Sequence, residues 1–328
     1  MKVRRALIGF AALTFVYLMA LIWADSRNHI FSEFPKLISI MPTLLGLSLL
    51  SYLVRYLRWH WLLSRAGNKT NVISGYLAYL AGFAFTATPG KVGELLRIRY
   101  LAPHGVPPYR VLAAFIYERA FDLVAVLLLS AFAISSREVF ILAFGFVAIF
   151  LAGIGFAVLN PAWLTKASAY LRFHRQKKLA RILITLRNGL SGCRIWATPS
   201  DVLVSLVLGV IAWCITSFSF VLLLNHLGVS IPTFSALAVY PLAMLAGAAS
   251  MLPGGVGSTE VTIVALLSLF DVPVGIATLA AIGIRFASLW FAVLCGFIAL
   301  GTLELLPPTE ITPGVLPVLP SSKVGDKR

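Results

Sequence analysis

The sequence predicts an all-α polytopic membrane protein with about six full transmembrane helices and two Pro-Gly-broken re-entrant hairpins, arranged as two inverted repeats. Three observations support this prediction: the composition, apolar runs of membrane-spanning length, and two similar interrupted runs. Of the 328 residues, 59% are hydrophobic and 12% are charged. Soluble domains carry about 25% charged residues. The composition therefore argues against a soluble enzyme, a nucleic-acid-binding domain or a disordered scaffold, although the net charge is +15.

The uninterrupted apolar runs are long enough to cross a bilayer core, which takes about 20 helical residues. The predicted full spans are 6–24, 42–64, 111–134, 139–159, 202–225 and 273–301. The basic start MKVRR followed by an apolar run is also typical of a signal peptide, but no small-residue cleavage site follows it. We therefore interpret 6–24 as a retained first span.

Two further apolar stretches, 72–102 and 235–271, are interrupted in their middle. Proline and glycine break helical hydrogen bonding, and non-helical backbone at membrane depth persists only inside protein or beside a cavity. The predicted breaks are Pro89, Gly90 and Gly93 in the first stretch, and Pro253, Gly254, Gly255 and Gly257 in the second. Each stretch is predicted to form a hairpin. Such a turn also has a purely structural interpretation, as a bend that lets helices pack.

The positions of the basic residues predict which side of the membrane each connection occupies. The connection 160–200 contains eight Lys and Arg residues and no acidic residue. Because basic connections stay in the cytoplasm, this connection and both termini are predicted to be cytoplasmic. Hairpins that return to their own side and hairpins that cross twice give the same sidedness. Apolar residues at helical spacing make 160–200 a predicted amphipathic segment on the inner leaflet, and the Pro-rich tail 302–328 is predicted to be disordered.

The two interrupted stretches resemble each other in sequence. TPGKVGE in the first corresponds to LPGGVGSTE in the second, and each follows a Leu-Ala-Gly motif. Glu94 precedes Arg119 by 25 residues, and Glu260 precedes Arg285 by the same distance. These matches predict an internal duplication within a single membrane domain, 1–301.

The predicted topology gives the two copies opposite orientations. Repeat 1 is about 42–134 and repeat 2 is about 202–301. Inverted repeats with broken helices and a binding site near the midplane are common in transporters. The duplication therefore favours a transport function.

Two arginines are predicted to lie near the middle of the membrane. Arg119 and Arg285 are about 14 Å and about 18 Å into their spans at 1.5 Å per residue. An uncompensated arginine at that depth costs at least ~2.5–3.5 kcal/mol, so acidic partners are expected. The candidates are Glu94, Glu118, Asp122 and Glu260. Arg119 is three residues before Asp122 and can bridge to it along the helix.

These ionic residues have two compatible interpretations. One interpretation is structural ion pairs, and the other is a polar path in which the arginines bind a phosphate. A planar guanidinium suits a phosphate because it can bond two oxygens at once. Arg58 is a candidate headgroup contact, Arg97 and Arg99 are expected at the cytoplasmic mouth, and Lys91 belongs to the first hairpin. GKVGE is not a complete phosphate loop, so nucleotide binding is not expected. No metal or cofactor is expected either, because the cysteines and histidines lack ligand spacing.

Several motifs in order resemble the lysylphosphatidylglycerol synthase transmembrane family, a flippase-like module. They are RYLRWHWLL, TPGKVGELLR, ERAFD, LPGGVGSTE and a late arginine in the last span. The resemblance implies lipid translocation between leaflets, and stand-alone members look suited to amphiphiles such as polyprenyl-phosphate-linked sugars. By the residue match, the resemblance implies that the functional residues are Glu94, Arg97, Glu118, Arg119, Asp122, Glu260 and Arg285. No polar stretch is long enough for a soluble aminoacyl-transferase domain, so complete synthase activity is not expected.

We therefore expect a lipid flippase or scramblase, and no enzyme, in the bacterial inner membrane. Its expected partners are membrane lipids with an anionic, phosphate-bearing headgroup, and no nucleic acid. One alternative is an accessory subunit that recruits a cytoplasmic lipid or glycan synthase. A membrane glycosyl- or phospho-transferase is a further alternative, although the sequence contains no acidic cluster typical of such enzymes.

Overall fold

A computed structural model describes residues 34–131 and 137–305, and these ranges contain helices and no β-strand. The predicted first span 6–24 and residues 306–328 of the predicted tail lie outside the described residues. In chain order the α-helices are α1 (Phe34–Arg65), α2 (Val72–Phe83), α3 (Arg97–Leu101), α4 (Pro108–Ala131), α5 (Arg137–Leu159), α6 (Pro161–Phe173), α7 (Lys177–Gly192), α8 (Pro199–His226), α9 (Thr233–Ala249), α10 (Ser258–Ser268), α11 (Val274–Arg285) and α12 (Phe291–Leu305).

Shorter helical segments join several of these helices. The 3₁₀ segments are Pro89–Leu96, Ala102–His104, Cys193–Trp196 and Pro253–Gly255. A π-helical segment, Phe286–Trp290, connects α11 to α12. The last two helices therefore form one apolar helical unit, Val274–Leu305.

Four helical stretches in the described ranges are long and apolar enough to cross a membrane: Pro35–Arg65, Ile141–Leu159, Pro199–His226 and Val274–Leu305. Helix α4 has 24 residues, which is also sufficient for a crossing, but Glu118, Arg119 and Asp122 lie in its middle. The predicted class, an all-α polytopic membrane protein, is confirmed. The number of spans and the sidedness of the connections stay predictions.

Two large clusters of buried apolar side chains form most of the core, and a small third one contains Ala157, Leu164 and Leu190. One large cluster includes Leu44, Phe220 and Tyr240, and the other includes Trp59 and Trp196. Helix α1 contributes to both, because it packs along α8 over much of its length. In lipid, such contacts stabilise the bundle mainly through close packing, since lipid tails are as apolar as the side chains.

One close approach in this core depends on a glycine. A Cβ atom at Gly296 of α12 would overlap the backbone nitrogen of Ala84, just after α2. Helices α2 and α12 therefore meet backbone to backbone at this point. This contact joins the last helix to the end of α2, inside the first interrupted stretch.

The two Pro-Gly breaks have the same backbone conformation. After Pro89, Gly90 and Lys91 have φ of 61° and 57°. After Pro253, Gly254 and Gly255 have φ of 62° and 65°. An internal duplication predicts this likeness, although the relative orientation of the two repeats stays a prediction.

The two breaks also lie against each other. A Cβ added to Gly254 would be 3.3 Å from the Cα of Ala87, one residue before the TPG motif begins. The interrupted stretches therefore meet at the point where each departs from regular helix. Non-helical backbone from both stretches is thus brought together inside the bundle, where it can border a polar site.

The basic connection 160–200 contains two α-helices instead of the one amphipathic helix predicted for it. Helix α6 ends before His174, and Arg175 adopts a left-handed φ of 60° before α7 begins. Helix α7 packs on α4, and Cys193 beyond its end donates to the Ala113 carbonyl at 3.5 Å. Burial raises the pKa of the Cys193 thiol to about 12.

Candidate functional site

A buried ionic network joins α1 to α4. The Arg58 guanidinium lies between two carboxylates of α4, with Nη2 2.7 Å from Asp122 Oδ1 and 3.1 Å from Glu118 Oε1. The two carboxylates are four residues apart and share one helix face, so one guanidinium reaches both. The Tyr79 hydroxyl also donates to Glu118 Oε1 at 2.8 Å. Helices α1, α2 and α4 are therefore joined through one set of charges.

Arg97 belongs to the same network and is fully buried. Its Nη2 is 2.9 Å from Glu94 Oε2, and its Nη1 is 3.5 Å from Glu118 Oε2. Its Cζ lies 4.0 Å from the Tyr79 ring centroid and 4.8 Å from that of Trp59. The expectation that Arg97 lines a cytoplasmic mouth is therefore wrong: two carboxylates and an aromatic cage hold it inside the bundle.

The remaining oxygen of Asp122 bonds two arginines that are partly exposed. Arg55 Nη1 and Arg119 Nη2 are each 3.1 Å from Asp122 Oδ2. The Arg119–Asp122 pair is the one that the spacing predicts. The side chains of Arg55 and Arg119 are 13% and 18% exposed, respectively, whereas that of Arg58 is fully buried. These two arginines form the accessible edge of the network.

The second interrupted stretch has a simpler ionic pair. Arg285 Nε donates to Glu260 Oε1 at 2.8 Å, and its Nη2 donates to the Gly254 carbonyl at 2.6 Å. The other carboxylate oxygen of Glu260 accepts the Gly257 N–H at 2.7 Å, at the start of α10. Arg285 is thereby attached to both the Pro-Gly break and the helix that follows it.

A cavity of about 80 Å³ lies between these two groups. Its lining comes from both halves of the chain, including α1, the first break, α4, α8, the second break and α11. The charged side chains that line it are Arg55, Lys91, Arg119, Arg285 and Glu94. The charged lining thus has four cations and one carboxylate.

The electrostatic balance of the site is positive. Among the described residues, Lys91 has no ion pair with any carboxylate. Arg119 Nε is buried and has no hydrogen-bond partner in these ranges, and the same holds for Nε and Nη1 of Arg58. Concentrated positive charge in a low-dielectric site attracts an anion strongly. The arrangement is suited to holding a phosphate or carboxylate group.

The structure divides the predicted site residues into two sets. Lys91, Glu94, Arg119, Gly254 and Arg285 line the cavity. The others form the supporting structure: Arg58, Arg97, Glu118, Asp122 and Glu260 in ion pairs, and Pro89, Gly90, Gly93, Pro253, Gly255 and Gly257 in the two turns. In 34–131 and 137–305, no three His, Cys, Asp or Glu residues come together as metal ligands.

Gly93 has a specific role in the first turn. Its N–H donates to the Thr88 hydroxyl at 2.8 Å, and a Cβ added to it would overlap the Phe85 carbonyl oxygen. Thr86 Oγ1 donates to Glu94 Oε1 at 2.8 Å. This turn therefore fixes Glu94 beside the cavity.

Sequence reasoning missed several polar residues of the cavity. Arg55 lines it, together with Ser48, Ser51 and Tyr52 one and two turns earlier on α1. These four positions share one face of α1, because they are three, four and seven residues apart. That polar stripe is the signal that identifies them. On the opposite wall Ser288 accompanies Arg285, but its position depends on the π-helical segment and has no sequence signal.

Comparisons with known proteins agree on the kind of protein. The family model described as "Lysylphosphatidylglycerol synthase TM region" matches residues 6–296. A "UPF0104 membrane protein" from Methanothermobacter thermautotrophicus is 26% identical, over an alignment covering 88% of this chain and 91% of that protein. No solved structure matches the chain significantly.

Proposed function

Because the chain belongs to the lysylphosphatidylglycerol synthase transmembrane-region family, we propose that it is a lipid flippase or scramblase. Its substrate is an anionic lipid with a phosphate-bearing headgroup. The observation that carries this proposal is the cavity between the two Pro-Gly breaks, whose charged lining is four cations and one carboxylate. Transport, and not catalysis, is the proposed activity. The proposed location is the bacterial inner membrane, with both termini and the basic α6–α7 connection on the cytoplasmic side.

In the proposed mechanism, the lipid phosphate binds between Arg119 and Arg285. Guanidinium groups bind phosphate oxygens in pairs, and Lys91 adds a third cation between them. The cavity, at about 80 Å³, has room for a phosphate group but not for acyl chains. The tails therefore remain in lipid while the phosphate occupies the cavity. Glu260 and Asp122 neutralise the two arginines when no phosphate is bound.

The charge of the cavity narrows the substrate class. A headgroup that carries a cation of its own meets repulsion from four lining cations, whereas an unshielded phosphate is attracted. This favours a polyprenyl-phosphate-linked sugar or an acidic phospholipid over an aminoacylated one. The substrate is therefore proposed to be net anionic.

Reconstitution into liposomes tests the proposal. Fluorescent phosphatidylglycerol in the inner leaflet becomes accessible to an external quencher only when the protein moves it outward. We expect the purified chain to accelerate this movement, and Arg119→Ala and Arg285→Ala to slow it at least about tenfold, the cost of one lost charge-assisted hydrogen bond. Arg181→Ala, on the exposed face of α7, is the matched control and keeps the parent rate.

Unchanged transport in folded Arg119→Ala and Arg285→Ala variants would refute the role of the arginines. Equal movement of fluorescent phosphatidylcholine would refute selectivity for anions. An accessory subunit gives a different result, because the purified chain alone moves no lipid in that case.

A further inference from the structure

A second basic groove lies outside the cavity, between the start of α4 and the end of α7. Its volume is about 460 Å³, and it opens to the surface. Tyr109 and Arg110 come from α4, and Arg187, Asn188 and Ser191 come from α7. The residues that line it include two arginines and no acidic residue.

Both arginines of this groove have unused hydrogen-bonding capacity. The Nε atoms of Arg110 and Arg187 are buried and have no hydrogen-bond partner in the part of the chain that the structure describes. Neither arginine forms an ion pair in the same ranges. An unsatisfied buried donor costs about 1–3 kcal/mol, and more when it is charged. The two guanidinium groups are therefore suited to a partner from outside the chain.

The groove is held in a defined geometry. A Cβ at Gly189 would lie 2.7 Å from the side chain of Leu112, so α7 and α4 are in close contact beside the groove. The Arg110 guanidinium lies over two rings, 5.3 Å from Tyr109 and 6.0 Å from Trp196. Trp196 is itself fixed, because its Nε1 donates to the Leu62 carbonyl at 2.8 Å. The two arginines thus belong to packed elements of the bundle.

The donor set identifies the chemistry of the ligand. Two guanidinium groups, the Asn188 amide and the Ser191 hydroxyl all offer N–H or O–H donors in one groove. A tetrahedral anion with several acceptor oxygens satisfies such a set, and arginine pairs with phosphate in two-point contacts. At a membrane surface, the phosphate of an anionic lipid is an acceptor of this kind.

We infer that this groove is a phosphate-binding site, and that its ligand is the headgroup of an anionic phospholipid. Tyr109 and Ile195 at its rim are exposed apolar side chains, which suits contact with lipid. Helix α7 also exposes Leu179 and Ile182, as interfacial helices expose apolar side chains to lipid. The bound lipid attaches α7 to α4. The inference does not depend on the proposed transport activity.

Native mass spectrometry of the purified full chain tests the site by counting retained lipids. With phosphatidylglycerol as the probe, we expect the chain to retain at least one lipid more than the double variant Arg110→Ala/Arg187→Ala. In the single variant Arg187→Ala, we expect half-occupancy of this site to need at least about tenfold more phosphatidylglycerol than in the parent. Arg181→Ala is the matched control and retains the parent number.

Two further ligands distinguish an anionic lipid from a neutral lipid and from free phosphate. Phosphatidylcholine, with no net charge, should not fill the groove. Inorganic phosphate tests the alternative source of the same group: if it displaces the counted lipid at equal concentration, the ligand is free phosphate and the lipid assignment is overturned. An unchanged lipid count in both the Arg187→Ala variant and the double variant overturns the site itself. The single variant on α7 keeps the test decisive if loss of Arg110 prevents folding.

Discussion

Replacing Lys91 with glycine should raise stability and lower transport at the same time. Lys91 has φ of 57°, and the equivalent residue of the second break is Gly255, with φ of 65°. A left-handed conformation costs a residue other than glycine about 1–2 kcal/mol. Glycine also makes the unfolded chain more flexible, which reduces this gain in stability by about 0.4–1 kcal/mol. The net expected gain in the free energy of unfolding is about 0.5–1 kcal/mol.

The same substitution removes a cation from the cavity. If Lys91 contacts the phosphate of the transported lipid, its loss should reduce the transport rate by about tenfold or more, since charge-assisted hydrogen bonds contribute about 1.5–3 kcal/mol. Thermal unfolding in detergent measures the first effect and the liposome assay measures the second. The expected result is a higher midpoint of unfolding together with slower lipid movement.

Two control variants separate conformation from charge. Lys91→Ala keeps the left-handed strain and removes the cation, so it should slow transport without a gain in stability. Lys91→Arg keeps both features and should resemble the parent. The reasoning is refuted if Lys91→Gly unfolds at a lower temperature than Lys91→Ala, or if both variants transport at the parent rate.

Three further predictions concern stability and reactivity. Asp122→Asn removes the charge that pairs with the fully buried Arg58, so thermal unfolding should show a loss of about 3–5 kcal/mol. Gly296→Ala places a methyl group into neighbouring backbone and should destabilise the protein by about 1–3 kcal/mol in the same measurement. Cys193, with its pKa raised to about 12 by burial, has almost no thiolate at pH 8 and should resist maleimide labelling, as mass spectrometry of the labelled protein would show.

Each of these predictions has a matched comparison. Glu304→Gln breaks an exposed pair with Arg99 and should cost no more than about 1 kcal/mol. Gly301→Ala enters open space and should be nearly neutral. Cys193 should become labelled once the chain is unfolded in detergent. Equal losses in the test and control variants, or rapid labelling of folded protein, would contradict the packing described above.

The sequence predicts those ion pairs whose arginine would cost much free energy if it were left unpaired in the membrane. A midplane arginine requires an acidic partner. The Arg119–Asp122 pair follows from this requirement and from the three-residue spacing, and Glu260 is a candidate partner of Arg285; both pairs are present. Glu94, another candidate partner of the two midplane arginines, instead pairs with Arg97. That choice depends on how the first hairpin packs against α2 and α4, which spacing along the chain does not determine.

Other features could not be predicted from the sequence, because they too depend on packing between distant helices or on a local backbone turn. The burial of Arg97 depends on Tyr79 and Trp59, which come from two other helices. The bend that divides 160–200 into α6 and α7 is centred on Arg175, a residue type that does not signal a left-handed turn. Apolar periodicity therefore locates helices well, but contacts between distant helices decide which charges are buried.

The two oxygens of Glu260 have separate tasks. Oε1 accepts from Arg285, whereas Oε2 accepts the Gly257 N–H that begins α10. If a substrate phosphate takes Arg285 away, as proposed, Glu260 Oε1 and the Gly254 carbonyl each lose a bond, whereas Oε2 still accepts the Gly257 N–H at the start of α10. The proposed exchange of partners by Arg285 would therefore leave the first turn of α10 intact and free the Gly254 carbonyl of the Pro-Gly break.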